Sequence, residues 1–209
     1  RRRSGLTGGS SGFELAAADY NRTVPEPPFP DRFPDVRAAA LRHAEEHRCE
    51  VKVPEPGRAQ AVAVLARLSR ASHVLVCGSD PAYTPIHIAA ALGLTGRIDL
   101  VDPDEHHAVF AQRVFTQHGF TEKLKVVEGR AVDVVPYLNG PYDLVVAGPF
   151  ASLAEPLRSA VYRLLRAGGA LVVDLPEGDS IPPAVAEFGA DERWMFGRLG
   201  HFAVAVKLR

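Results

Sequence analysis

The stretch Val74-Leu75-Val76-Cys77-Gly78-Ser79-Asp80-Pro81-Ala82-Tyr83-Thr84 reads as an apolar strand that runs through a tight turn into a helix. In doubly wound α/β folds ligands bind beyond the carboxyl ends of the strands, where a glycine such as Gly78 lets the backbone approach them closely. A second apolar run ends in Asp102, 24 residues after Gly78, within Leu100-Val101-Asp102-Pro103-Asp104. An acid at that spacing can accept hydrogen bonds from both hydroxyls of a ribose. It can also cap a helix whose first residue is Pro103, and the two roles are compatible. Two readings hold for Ser79 and Asp80 as well: contact with a bound ligand, or a cap on the following helix. After a third strand comes Glu128-Gly129-Arg130-Ala131, where Arg130 either stacks on a purine face or stands solvated at a helix start.

These residues resemble the class I S-adenosylmethionine-dependent methyltransferases, specifically the O-methyltransferases of the catechol and caffeoyl-CoA type. In that family the first turn usually reads V-L-E-x-G-T-G-x-G-Y-S, and Val74, Leu75, Gly78, Tyr83 and Thr84 fall on their counterparts. Val76 stands in place of the usual acid, Asp80 in place of the second glycine and Ala82 in place of the third. The stretch ending Val101-Asp102-Pro103 resembles the family's V-E-x-D-P, and Arg130 stands where the family has an acid beside the adenine. The resemblance implies that Gly78, Ser79, Asp80 and Tyr83 shape the methionine end of a cofactor site. Asp102 with Pro103 would hold the ribose, Arg130 and Ala131 would flank the adenine, and Gly148 is counted among the cofactor contacts. Asp80 could offer its carboxylate to the methionine amino group.

Metal-dependent members of the family carry an Asp after strand four and an Asp-Asn pair after strand five, which hold a hard divalent ion through oxygen. Here strand four runs Tyr142-Asp143-Leu144-Val145-Val146-Ala147-Gly148, so Gly148 occupies the ligand position; Asp174 is present after strand five but Leu175 follows it. One carboxylate does not hold such an ion, and no catalytic metal is expected. Histidine is the remaining side chain suited to acid/base work, with His87, His106, His107, His118 and His201 in the core half. Each also reads as an ordinary core or surface histidine, and no catalytic base is assigned.

The elements that must position these residues alternate regularly. Strands His73 to Cys77, Arg97 to Val101, Leu124 to Val127, Tyr142 to Val146 and Ala170 to Asp174 are separated by helices Pro85 to Leu92, Pro103 to His118, Ala131 to Leu138 and Ala151 to Arg166. The last of these helices is expected to stop at Gly168-Gly169. Two further runs, Glu192 to Phe196 and Phe202 to Val206, flank a connection at Gly197 to His201 too short for a crossover helix, so they must pair antiparallel. The expected fold class is α/β: a Rossmann-like, mostly parallel seven-stranded sheet with a C-terminal antiparallel hairpin and helices on both faces. Trp194 and Met195 alternate as core and surface of a β-run. Ahead of the sheet two helices are expected, Asp35 to Arg48 and Arg58 to Arg70.

Domain organisation follows from composition. Residues 1–34 comprise a basic, Gly/Ser-rich tail at 1–12 and a proline-rich arm, and 35–209 form the methyltransferase-like domain. The 24 basic and 25 acidic residues nearly cancel, so neither nucleic acid nor an anionic membrane is an expected partner, and a small molecule is. Cys49 and Cys77 do not make a disulfide framework or a metal-binding spacing, no apolar run is long enough for a membrane span, and the expected compartment is the cytoplasm. A homodimer through the arm is implied by resemblance alone. Against a metal-independent transferase stands a non-catalytic descendant of the same fold, motivated by the changes at Val76, Asp80, Ala82, Arg130 and Gly148. A nicotinamide oxidoreductase is disfavoured because the G-x-G-x-x-G fingerprint is absent.

Overall fold

Five short runs rich in Val, Leu and Ile become buried parallel strands, because strands covered by helices on both faces read as continuous apolar stretches. A computed structural model describes residues 30–48, 52–78, 80–148, 153–176 and 180–209. The Gly/Ser tail, the proline-rich arm before residue 30, Cys49 and Ser79 lie outside the described residues. Two helices, α1 (Pro34–His47) and α2 (Pro56–Leu68), precede β1 (His73–Cys77); then follow α3 (Tyr83–Ala91), β2 (Arg97–Asp102), α4 (Glu105–Gln117), β3 (Leu124–Glu128), the single turn α5 (Ala131–Val134) and β4 (Tyr142–Ala147). The chain continues with α6 (Leu157–Leu164), β5 (Leu165–Asp174), α7 (Pro183–Ala190), β6 (Trp194–Leu199) and β7 (Phe202–Lys207).

The seven strands lie in the order β3-β2-β1-β4-β5-β7-β6. β1 pairs in parallel with β2 and β4, β3 with β2, and β5 with β4, whereas β7 runs antiparallel to both β5 and β6. The expected mostly parallel sheet with an antiparallel C-terminal hairpin is therefore present. The strand order reverses at β1, which opens a crevice above the carboxyl ends of β1 and β4.

Alternation of side chains along β1 divides the core in two. Val74 and Val76 point into one layer with Val36 and Ala40 of α1, Val62 of α2, Ile86 of α3 and Phe110 and Phe115 of α4. Leu75 and Cys77 point into the other, with Leu157 and Leu164 of α6, Phe188 of α7 and Trp194 of β6. Burial pushes the Cys77 thiol up to about 12, so it stays a neutral, free thiol. Trp194 is buried and Met195 exposed, as alternation requires. No helix among the described residues is long and apolar enough to cross a membrane.

Four expectations are corrected. The helix after β4 ends at Leu164, and Leu165 already belongs to β5, paired with Tyr142. Gly168-Gly169 therefore does not stop that helix; it lies inside β5, where the register to β4 shifts, Gly168 has φ +74° and a Cβ on Gly169 would meet the Arg166 carbonyl at 2.9 Å. The helix after β2 begins at Glu105 rather than Pro103, and its cap is Asp104, whose carboxylate accepts from the His106 amide at 2.8 Å. The hairpin turn shrinks to Gly200 and His201, with Leu199 opposite Phe202. α7 was not expected; Pro183 opens it and Val185 and Phe188 bury its inner face.

At the amino end of the sheet, polar ties hold the strands. The Asp143 carboxylate accepts from the Ser72 and His73 amides and from Arg166, and these partners outweigh burial to keep its pKa down at about 2. The opposite end carries the candidate site.

Candidate active site

Gly78 follows the last residue of β1 with φ +60°, and its amide reaches the Val101 carbonyl at 3.3 Å. The chain then turns into α3 through Ala82, which has φ +84°, a left-handed conformation that suits glycine and strains any residue with a Cβ. Asp80 is 5% exposed, and both of its carboxylate oxygens accept from the Thr84 amide, at 2.9 and 3.0 Å. Of its two readings the geometry matches the helix cap. Burial pushes its pKa up to about 6 in spite of those hydrogen bonds.

Tyr83 is fully buried, edge-on to His87, and its hydroxyl faces Asp31; burial and that carboxylate raise its pKa. It supports the turn from below. His87 is buried too, pushed down to about 4 by desolvation, and is a neutral core residue packed on Phe33 and Tyr83.

A narrow pocket opens over the ends of β1, β4 and β5, lined by Lys52, Arg58, Asp80, Thr84, Gly148 and Asp174. Gly148 donates its amide to the Cys77 carbonyl at 2.9 Å, which ties β4 to β1 without placing a side chain in the pocket. Arg58, in the first turn of α2, crosses the mouth: one guanidinium nitrogen forms an ion pair with the Asp174 carboxylate and donates to the Leu175 carbonyl at 2.9 Å. Arg58 Nε is buried and makes no hydrogen bond among the described residues. Burial raises the Asp174 pKa, and Arg58 only partly offsets this. The donor set does not fit a hard divalent ion: of the two carboxylates lining the pocket, Asp174 already carries a cation and Asp80 is engaged by the Thr84 amide, and neither Gly148 nor Leu175 supplies a further side-chain ligand.

At the neighbouring strand end Asp102 is buried, and its Oδ1 accepts from the Asp104 amide at 2.9 Å and lies 3.2 Å from His107 Nδ1. Both contacts fall on one oxygen, and among the described residues Oδ2 makes no hydrogen bond to protein, leaving an acceptor for ligand hydroxyls. Asp102 is thus an Asx turn before α4 rather than its cap. The Gly129 amide donates to the Asp102 carbonyl at 2.9 Å, and Gly129 has φ +137°, so the β3 end is built around a residue without a Cβ.

No family model matches the chain. A curated catechol O-methyltransferase from Niastella koreensis is 29% identical over 147 residues, 65% of each chain. The structure superimposes on a cofactor-bound protein from MTB with a TM-score of 0.68 and 26% identity, covering 88% of this chain and 99% of that one. It also superimposes on the O-methyltransferase TomG from Streptomyces achromogenes, solved in complex with SAM, with a TM-score of 0.69, 19% identity and coverage of 94% and 96%. The chain has the class I methyltransferase fold and is similar to O-methyltransferases. It spans 65% of the length of the Niastella relative.

On the methyltransferase fold, Gly78, Asp102 and Gly148 stand at the ends of β1, β2 and β4. The Arg130 guanidinium forks onto Asp133 at 2.6 and 3.1 Å on the exposed start of α5. Pro103 is exposed beside Asp102, and Ala131 is half-buried. His118 pairs with Asp35 at 3.1 Å, and exposed His201 sits in the hairpin turn, so neither lies in the pocket.

The residues that sequence reasoning missed come from the two helices ahead of the sheet and, with Lys52, from the connection between them. Arg58 closes the pocket from α2, and His43 and His47 of α1 gather on His106 and His107. A basic residue at the start of an apolar helix, and histidines four apart on another, are the only signals the sequence offers for them.

Proposed function

We propose that this chain is an S-adenosylmethionine-dependent O-methyltransferase that acts on a small-molecule acceptor without a divalent metal. The observation that carries the reading is the crevice at the strand-order reversal, with the Gly78 turn on one side and the Asp102 carboxylate on the other. The likeness to curated O-methyltransferases and to a SAM complex supports it. When bound, S-adenosylmethionine supplies a methyl group already activated on a sulfonium, so alignment with the acceptor supplies much of the rate.

The chain's own residues do the rest. Asp102 Oδ2 accepts from ribose hydroxyls, with Pro103 beside it and Ala131 toward the adenine. Gly78 shapes the methionine end, and Asp80 and Tyr83 hold that turn in place. Gly148 leaves the pocket floor open. Support for the metal-free reading comes from Arg58, a fixed positive charge on Asp174 where metal-dependent relatives of the family carry a cation site. Arg58 and Lys52 stabilise negative charge as the acceptor oxygen loses its proton, and Asp174, whose proton affinity burial raises, takes that proton. The Asp80 carboxylate completes the pocket wall. The same reading carries a cytoplasmic protein with a homodimer formed through the arm, which light scattering of a chain lacking residues 1–34 tests.

Titration with S-adenosylhomocysteine tests the proposal. A ligand that binds only the native state must raise the melting temperature, so millimolar S-adenosylhomocysteine is expected to do so and to give heat of binding. Asp102→Ala is expected to abolish most of it. Absence of both signals in the unmodified chain would overturn the proposal in favour of a non-catalytic descendant of the fold.

A further inference from the structure

A second cluster of chemistry-bearing side chains lies beside the crevice, outside the pocket. His47, the last residue of α1, places Nε2 2.6 Å from Asp104 Oδ2, and His107 in the first turn of α4 places its Nε2 4.0 Å from the same oxygen. One donor atom from each of the three lies within 4.8 Å of the others. Tetrahedral zinc holds nitrogen and oxygen at about 2.0–2.2 Å, which sets its ligand atoms roughly 3.4 Å apart, so these spacings bracket what an ion requires.

The second shell is also in place. His107 Nδ1 faces Asp102 Oδ1 at 3.2 Å in a buried contact. An ionised carboxylate only accepts, so this contact fixes the hydrogen on Nδ1 and turns the Nε2 lone pair toward Asp104. A carboxylate behind a histidine is the usual device for orienting a metal-bound imidazole. Asp104 is itself set by accepting the His106 amide at 2.8 Å.

We propose that His47, Asp104 and His107 bind one divalent transition-metal ion, with zinc the best fit, and so clamp the end of α1 to the β2–α4 junction. Two imidazoles and one carboxylate favour zinc, copper or nickel over magnesium or calcium, which prefer all-oxygen sets. Three protein ligands leave a fourth position for water. The site shares no ligand with the pocket, and it stands or falls independently of methyl transfer.

The test uses the full chain, stripped with chelator, and the metal alone. One equivalent of Zn²⁺ is expected by calorimetry, and Co²⁺ in its place is expected to give the intense visible bands of a tetrahedral site. Second-shell changes at metal sites cost about 10–100-fold in affinity, so Asp102→Asn is expected to weaken Zn²⁺ binding by that factor and His47→Ala by about 100-fold or more. His47 is partly exposed, so its truncation leaves the fold intact where His107→Ala could disturb the core. His118→Ala, at the far end of α4, is expected to leave binding unchanged. Zn²⁺ affinity that is undetectable in the unmodified chain, or equal in His47→Ala, would overturn the site.

Discussion

Arg58 and Asp174, 116 residues apart in sequence, form an ion pair across the mouth of the pocket, each side chain about one-fifth exposed. α2 brings the arginine and β5 the carboxylate, so the two helices ahead of the sheet complete the strand ends rather than merely covering them. The pair puts a fixed cation on one of the two carboxylates that line the pocket.

Arg58→Met retains the stem of the side chain and removes the charge. It leaves Asp174 desolvated without its cation, so a loss of about 2 kcal/mol in denaturant unfolding is expected, the scale of a hydrogen bond to a charged group. Adding Asp174→Asn should restore part of that loss, because a neutral amide tolerates the site better than an orphaned carboxylate. If Arg58 stabilises the reacting oxygen, kcat for methyl transfer falls roughly 100-fold or more in Arg58→Met while the affinity for S-adenosylhomocysteine holds. A double-mutant cycle showing additive effects on stability would break the pairing argument.

Ala82 holds a left-handed conformation at the start of α3, and its Cβ costs roughly 1–2 kcal/mol there. Glycine relieves that strain but adds entropy to the unfolded chain, worth about 0.5–1 kcal/mol in the other direction. Ala82→Gly is therefore expected to stabilise the protein by up to about 1 kcal/mol, read from the urea midpoint at unchanged slope. A neutral or destabilising result would show that the turn relaxes without help.

How much of this was legible in the sequence divides along contact range. β1, the Gly78 turn and Asp102 follow from short-range signals: an apolar run, a turn glycine and an acid at nucleotide-fold spacing. Ala82 was visible as a departure from glycine, and its positive φ gives the departure a physical cost. Arg58 with Asp174 and His47 with Asp104 were not legible, because periodicity says which face of a helix is apolar and nothing about which distant strand end it meets. Gly168-Gly169 misled for a different reason. A glycine pair signals a left-handed or crowded backbone, and both a helix stop and a strand irregularity satisfy that demand. α7 escaped notice because eight residues beginning after Pro182 carry a loop signal as strong as their helical one.

Tyr142 donates its hydroxyl to Asp99 Oδ2 at 2.6 Å in a buried contact, and His73 Nε2 lies 3.4 Å from the same oxygen. Burial and the neighbouring carboxylate raise the Tyr142 pKa, which keeps it protonated as a donor. Tyr142→Phe keeps the ring in the core and leaves Asp99 short of its best partner. A loss of about 2 kcal/mol is expected in urea unfolding, since a buried charged acceptor is deprived of a donor. His73→Ala, removing the longer contact, should cost less, and the reverse order would show that the histidine is the partner that matters.

Asp80 makes stability depend on pH in the direction opposite to most carboxylates. Its pKa is raised from an ordinary aspartate value to about 6 by burial, so the folded state binds its proton more tightly than the unfolded chain. The stabilisation is fully present below the unfolded pKa, near 4, and is lost as pH rises through about 6. With about 1.4 kcal/mol per pH unit, the part of the stability curve owed to Asp80 should fall on the order of 2–3 kcal/mol across that window. Other carboxylates, Asp143 among them, slope the other way, so the quantity to measure is the difference between the unmodified chain and Asp80→Asn. Asparagine still caps α3 through its side-chain oxygen and cannot ionise. The difference should favour the unmodified chain more at pH 4 than at pH 7, and the asparagine variant should retain or gain stability at neutral pH. A difference that does not change with pH would mean the Asp80 carboxylate is solvated when charged, and the turn more open than its burial implies.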